Sequence, residues 1–256
     1  MISYQNRKEE NLDIPLRDGK MLHAILRGEL SADKPVVIMM HGRPGSGNEL
    51  LQYLGAHYIS EHDITTLRLS MYDFGAQYRN LLECTLNTHV SDFEDVVQYL
   101  RHKGIKCIFA LGHSYGGITI LASKAKLEGA VLWDPSHGLA YDNNPEFDSP
   151  DFPEERFENI IVGTGGYGYI HSVEQDDYDK NLGDTTRYVH GKNYPMKFIL
   201  ASAGSLAKYG KRYYEEASEP KSLVEIEDAH HQFEDSDVVT ERLFSETVDW
   251  VKKFSK

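Results

Sequence analysis

Few residues in this chain are placed to do chemistry, and Ser114 stands out among them, in Leu111-Gly112-His113-Ser114-Tyr115-Gly116-Gly117. The apolar run Cys107-Ile108-Phe109-Ala110-Leu111 stops at this glycine-flanked serine. Glycines two residues to either side let a strand turn sharply into a helix where no Cβ would fit against neighbouring backbone, and such a turn lifts the hydroxyl to the end of a sheet. A serine hydroxyl is a poor nucleophile until a base takes its proton, and that base must itself be held by an acceptor. Two histidines stand ready near the C-terminus, His230 and His231 in Asp228-Ala229-His230-His231-Gln232-Phe233. At this level the pair could also be a surface feature or a weak metal site.

For Ser114 to sit at a strand end the chain must supply a sheet, and its hydrophobic patterning does so. Residues 12–16 and 21–26 are alternating runs flanking the turn Arg17-Asp18-Gly19-Lys20, which predicts a β-hairpin. Residues 36–40 form the unbroken apolar run expected of a strand buried on both faces. Leu50, Leu51, Leu54 and Tyr58 have helical spacing, and 64–69 reads as the next strand. Val90, Phe93, Val96, Val97 and Leu100 predict a second helix, capped at Asn87 or Thr88. After the serine come an apolar helix over 117–126, a strand over 130–133 ending at Asp134-Pro135, strands over 197–201 and 222–226, and a closing helix over 238–254. Strand alternating with helix is the signature of an α/β protein, with a mostly parallel central sheet and helices on both faces.

Alternation fails over 136–194, which holds 12 acidic and 4 basic side chains and the cluster Gly163-Thr164-Gly165-Gly166-Tyr167-Gly168-Tyr169. At roughly sixty residues it is too long for an ordinary connection and reads as an inserted lid on a core made of 1–135 and 195–256. Tyr141, Phe147, Phe152, Phe157, Tyr167, Tyr169 and Tyr178 would supply apolar walls, with the carboxylates in water on the outer face, because burying an unpaired charge is costly.

The 256 residues suit one such domain with its insertion. With 40% hydrophobic and 26% charged residues, the composition is that of a soluble globular protein. A net charge of −13 disfavours nucleic acid or an anionic membrane as a partner. No apolar run near the N-terminus is long enough to span a bilayer, and 1–11 lack the apolar region of a signal peptide, so a cytoplasmic location is expected. Cys84 and Cys107 are too few and too far apart for a disulfide scaffold or a cysteine-rich metal site. Gly42 and Gly47 have the spacing of a phosphate-binding loop, but Asn48 and Glu49 stand where Lys and Ser or Thr are required. His57 and His62, five apart, read as surface residues. Neither a cofactor nor a metal is expected.

The glycine-flanked serine, with its strand before and helix after, resembles the nucleophile elbow of the α/β-hydrolase superfamily, in particular its serine esterases and lipases. That resemblance implies an α/β-hydrolase fold with a lid and assigns further roles. Ala229-His230-His231-Gln232-Phe233 is similar to the family's pattern of small residue, any residue, histidine, any residue, phenylalanine, and Phe233 two places on selects His231 as the base. The family most often carries its acid after the strand before the last, but 202–209 contain no carboxylate. Some members place it after the strand that follows the elbow helix, where Asp134 stands; Glu215 and Glu216 are the runners-up, and Asp228 lies too near the histidine. His41-Gly42-Arg43-Pro44-Gly45 resembles the family's oxyanion loop. Its donors would be the amides of Tyr115 and, since Pro44 has no N–H, of Arg43, whose side chain would be free to point into the pocket. Tyr167, Tyr169 and His113 are the expected substrate contacts.

The implied activity is hydrolysis of carboxylic esters of small or medium acyl or aryl substrates through a Ser114 acyl-enzyme. A serine at the nucleophile position argues against dehalogenases and epoxide hydrolases, whose chemistry needs a carboxylate there. A thioesterase or acyltransferase is the alternative among enzymes. A ligand-binding protein with little turnover is the alternative outside them, for which the missing usual acid would be a symptom.

Overall fold

The computed structural model describes residues 9–141, 154–163 and 169–255. Eight strands form one sheet: β1 (Glu9–Pro15), β2 (Met21–Arg27), β3 (Val36–Met40), β4 (Thr65–Ser70), β5 (Ile108–His113), β6 (Gly129–Trp133), β10 (Met196–Ala201) and β11 (Lys221–Ile226), where β7 to β9 lie in the insertion described below. Their spatial order is β1-β2-β4-β3-β5-β6-β10-β11. β1 pairs antiparallel with β2, and β2 antiparallel with β4; every pairing from β4 to β11 is parallel.

The period-2 geometry of a strand explains why β3 reads as uninterrupted hydrophobic sequence. Val36, Ile38 and Met40 enter one buried core, Val37 and Met39 the other. On the first face Phe93, Val96, Val97 and Leu100 of α2 (Leu86–His102) meet Ile120 and Leu121 of α3 (Tyr115–Ala122), with Tyr213 of α6 (Ala207–Glu216) beyond them. On the second, Leu51, Ala56 and Ile59 of α1 (Leu50–Ser60) pack with Leu243, Phe244, Val248 and Val251 of α7 (Asp237–Phe254).

Two helix boundaries differ from the sequence reading. Helix α2 begins at Leu86, capped by Thr85 and not by Asn87 or Thr88: the Thr85 hydroxyl accepts from the Thr88 amide at 3.3 Å and the Thr88 hydroxyl accepts from the Thr85 amide at 2.8 Å. This reciprocal box places Thr88 in the first turn, where a hydroxyl does the work usually given to Glu or Gln. Helix α3 stops at Ala122, because Ser123 adopts extended backbone and turns its hydroxyl back to the Ile120 carbonyl at 2.9 Å.

The segment between β6 and β10 has regular structure that its composition hid. It contains α4 (Gly138–Tyr141), a separate antiparallel sheet of β7 (Glu154–Arg156), β8 (Ile160–Gly163) and β9 (Tyr169–Ser172), then α5 (Val173–Asp179) and a short 3-10 turn at Thr186–Val189. Phe147, Phe152 and Tyr167 lie outside the described residues, and of Tyr169 only the backbone in β9 is described. The expectation that the insertion's carboxylates face water is overturned at two positions. Asp176 and Asp179 are both buried, since basic and hydroxyl partners reach them there. No helix among the described residues is long and apolar enough to cross a membrane.

Candidate active site

Parallel strands β3, β5, β6 and β11 bring their C-terminal ends to one edge of the sheet, and each delivers one part of the site there. Between β5 and α3, Ser114 takes φ 53° and ψ −116°, a conformation disfavoured for a residue with a Cβ and held only where the surroundings fix it. They fix it by close approach. A Cβ on Gly112 would lie 2.5 Å from the Gly116 carbonyl, and a Cβ on Gly116 would lie 2.5 Å from the Met40 carbonyl oxygen. Both glycines are therefore required for α3 to start directly against β3 and β5.

Asp134 follows β6, also at positive φ (42°), and its carboxylate is fully buried. It accepts the Nδ1–H of His231 at 2.6 Å and, more weakly, the Ala201 amide at 3.4 Å. With Nδ1 occupied by that donation, His231 presents Nε2 as its acceptor. The two adjacent histidines part company here. His230 is exposed and paired with Asp235, whose carboxylate takes both its ring Nδ1 at 2.7 Å and its amide at 2.9 Å.

The Ser114 hydroxyl pairs with the hydroxyl of Ser136 at 3.1 Å. Among the described residues it makes no hydrogen bond to His231. Ser136 escaped the sequence reading, although it stands two residues beyond Asp134. Its amide donates to the Ser114 carbonyl at 3.0 Å, and its carbonyl accepts from the Tyr213 hydroxyl at 3.1 Å.

His113, expected to contact substrate, packs against His231. It is buried, its Nε2 donates to the His231 carbonyl at 2.8 Å, and its ring lies 4.7 Å from the His231 ring. Burial pushes its pKa down to about 3, helped by the nearby His231 and His41, so it stays a neutral prop. His41 is pinned similarly at the start of the oxyanion loop. Its Nδ1 donates to the Gly42 carbonyl at 2.7 Å and its Nε2 accepts the Met71 amide at 3.1 Å, an arrangement open only to the neutral ring; burial lowers its pKa to about 4.

The loop after β3 comes close to the serine, since a Cβ on Gly42 would lie 3.1 Å from the Ser114 Cβ. The amide of Tyr115 is the first of α3, one of the donors a helix leaves without an intrahelical partner. Arg43 follows Gly42 in that loop. Contrary to expectation the Arg43 side chain is not free. It forms an ion pair with Asp179 of α5 and lies 5.0 Å from the Tyr141 ring centroid and 5.7 Å from that of Tyr115. Asp179 also accepts the Tyr115 hydroxyl at 2.9 Å. Burial raises the Asp179 pKa to about 6 against the opposing pull of Arg43. The sequence carries no signal for Asp179, one of several acids in an irregular stretch.

Glu215 and Glu216, the runner-up acids, lie on α6, where Glu216 pairs with His190 at 3.3 Å. Among the described residues no group of three or more His, Cys, Asp or Glu is arranged to hold a metal ion. A serine on a strained elbow and a histidine oriented by a buried carboxylate, at the same sheet edge, are parts that acyl transfer requires.

Comparison with known proteins places the whole architecture. No curated protein matches the chain. Similar solved structures include the α/β hydrolase GrgF from Penicillium sp. sh18 (17% identity, 97% of this chain and 99% of that one, TM-score 0.75) and Est1E from Butyrivibrio proteoclasticus with ferulic acid bound (18%, 94% and 99%, TM-score 0.72). The esterase domain of a Rhodothermus marinus protein is another (15%, 97% and 100%, TM-score 0.70). At these identities the likeness is one of fold. The model of the alpha/beta hydrolase family matches residues 37–242, from β3 through the histidine loop into α7, and the chain belongs to that family.

Proposed function

We propose that this protein is a serine hydrolase that cleaves carboxylic esters of small or medium acyl or aryl groups. The observation that carries the reading is the 2.6 Å hydrogen bond from His231 Nδ1 to the buried Asp134, made at the same sheet edge as the strained Ser114. The esterases among the structural neighbours agree with it.

In this mechanism the Ser114 hydroxyl rotates from Ser136 toward His231, whose Nε2 takes the proton as Oγ attacks the ester carbonyl carbon. The imidazolium so formed is stabilised by Asp134. The carbonyl oxygen, now an oxyanion, is received by the amides of Arg43 and Tyr115. Collapse of the tetrahedral intermediate returns the proton from His231 to the departing alkoxide, releasing the alcohol and leaving an acyl-Ser114. Water, deprotonated by the same Nε2, then attacks the acyl carbon, and the carboxylic acid leaves as Ser114 recovers its proton. The inserted segment serves as a lid that shapes the acyl site. Its described buried side chains mix the polar Gln175, Asp176 and Asp179 with the apolar Ile161 and Leu182.

The test is turnover of p-nitrophenyl esters of graded acyl length by the protein and by Ser114→Ala. Hydrolysis that falls by roughly four to six orders of magnitude in the variant is the expected result. An alanine variant that keeps the activity would overturn the reading.

A further inference from the structure

We infer that Asp179 is a positioning residue that sets the oxyanion-binding amides, by gripping the side chains of both residues that own them. The inference rests on the hydrolase reading above and adds to it a link between the inserted helix α5 and the oxyanion site.

The loop that carries the Arg43 amide is anchored at both ends to the segment following β4. His41 accepts the Met71 amide at 3.1 Å, and the Gly45 amide donates to the Tyr72 hydroxyl at 2.8 Å. Between those anchors Arg43 is held through its side chain, by a carboxylate that comes from a distant part of the chain. The same carboxylate spends its second oxygen on the hydroxyl of Tyr115. One fully buried group thus spans the two residues on either side of the oxyanion position. The rings of Tyr115 and Tyr141 flank the guanidinium. Asp176 lies 3.9 Å from the same guanidinium but is engaged more closely by Lys180 at 2.8 Å and Arg156 at 3.2 Å, so Asp179 is the principal counterion.

A buried ion pair with no role in the reaction needs only a partner of opposite sign. It does not need that partner to be the oxyanion-loop residue, nor a second bond to the residue after the nucleophile. Among the described residues Asp179 makes no hydrogen bond to Ser114 or His231, so its effect must travel through the placement of two N–H groups. Oxyanion donors act through their distance from the developing charge, and a displacement well under an ångström weakens them without abolishing ester binding.

The experiment compares Asp179→Asn and Tyr115→Phe with the unaltered protein. The measurements are kcat and KM on a p-nitrophenyl ester, affinity for an alkyl boronic acid whose Ser114 adduct places an oxygen at the oxyanion position, and the rate of Ser114 labelling by a fluorophosphonate. Asp179→Asn should lower kcat about 10- to 100-fold, less than outright removal of one donor, with KM within about threefold. Boronate affinity and labelling rate should fall in parallel. Tyr115→Phe, which keeps the ion pair and loses one hydroxyl, should show the same pattern at about threefold, and guards against misfolding of the first variant. Unchanged kcat and boronate affinity in both variants, or a loss confined to KM, would overturn the inference while labelling of the unaltered protein upheld the hydrolase reading. Failure of the unaltered protein to label would overturn both.

Discussion

Two fully buried aspartates, Asp134 and Asp179, each hold a cationic or basic partner at the rim of this site, and they do so to different ends. In the proposed mechanism His231 gains its positive charge only as the serine proton moves, so the attraction of Asp134 is greatest in the transition state and lowers the barrier. Asp179 grips an arginine that is charged throughout, so its attraction is the same before and during reaction and can act only on geometry. A carboxylate's place in a mechanism follows from when its partner becomes charged, and burial alone does not reveal it.

Substitutions can break or sharpen this contrast. The largest effect belongs to the groups both aspartates serve. Ser114→Ala and His231→Ala should each remove roughly four to six orders of magnitude from ester turnover, while His230→Ala, which alters only the exposed pair with Asp235, should stay within about twofold. An inactive His230 variant beside an active His231 variant would reverse the assignment of the base. Next comes Asp134→Asn, with a loss of about four orders of magnitude in kcat at nearly constant volume, since an amide neither fixes the tautomer nor stabilises the imidazolium. Near-normal turnover there would collapse the distinction between the two aspartates. Asp179→Ala should divide its effect differently. It leaves the buried Arg43 charge without its principal counterion, which destabilises the fold by about 3–5 kcal/mol in urea unfolding, with a kinetic loss far below that of Asp134→Asn. A variant of full stability would mean that Arg43 reaches water or another carboxylate.

The sheet was legible because buried parallel strands must be apolar on both faces, and residues 36–40, 107–111 and 130–133 can be little else. Ser114 and Asp134 stand out in the sequence because each directly follows an apolar strand, whereas His231, five residues beyond the mixed strand β11, stands out only through the family pattern that Phe233 completes. Asp179 and Ser136 had no such contrast. Asp179 sits among other acids on a short helix, and its inward face is decided by Arg43, 136 positions earlier in the chain. Sequence patterning says which segments are buried as a whole. It does not say which of several like charges finds the one buried cation. The insertion's small sheet was missed for a related reason, its strands being only three or four residues long.

A smaller, distributed effect concerns pH. Burial lowers the pKa values of His41 and His137 to about 4 and those of His89, His113 and His171 to about 3, from an ordinary 6.5. At these five rings the unfolded chain therefore binds more protons than the folded one below pH 6.5, and the stability these neutral rings contribute is full above that value and lost as pH falls toward 4 and then 3. Asp179, between about 6 and 3.8, and Glu49, which burial raises to about 7, work in the opposite sense, because there the folded state holds their protons more tightly, but they are two groups against five. Urea unfolding across pH 7.5 to 4.5 should show stability falling with acidification and a net uptake of protons on unfolding. A flat or rising profile would mean that these histidines are not held neutral.

The central claim is that Ser114 is a nucleophile activated by a histidine that Asp134 holds. Treatment with a fluorophosphonate followed by intact mass and peptide mapping tests it most directly, on the unaltered protein, His231→Ala and Asp134→Asn. The account predicts a single adduct at Ser114 in the unaltered protein, forming at least a hundredfold more slowly in either variant, on the roughly ten-thousandfold scale of triad disruption. An adduct at another residue, or equal labelling of Ser114 in all three proteins, would contradict it.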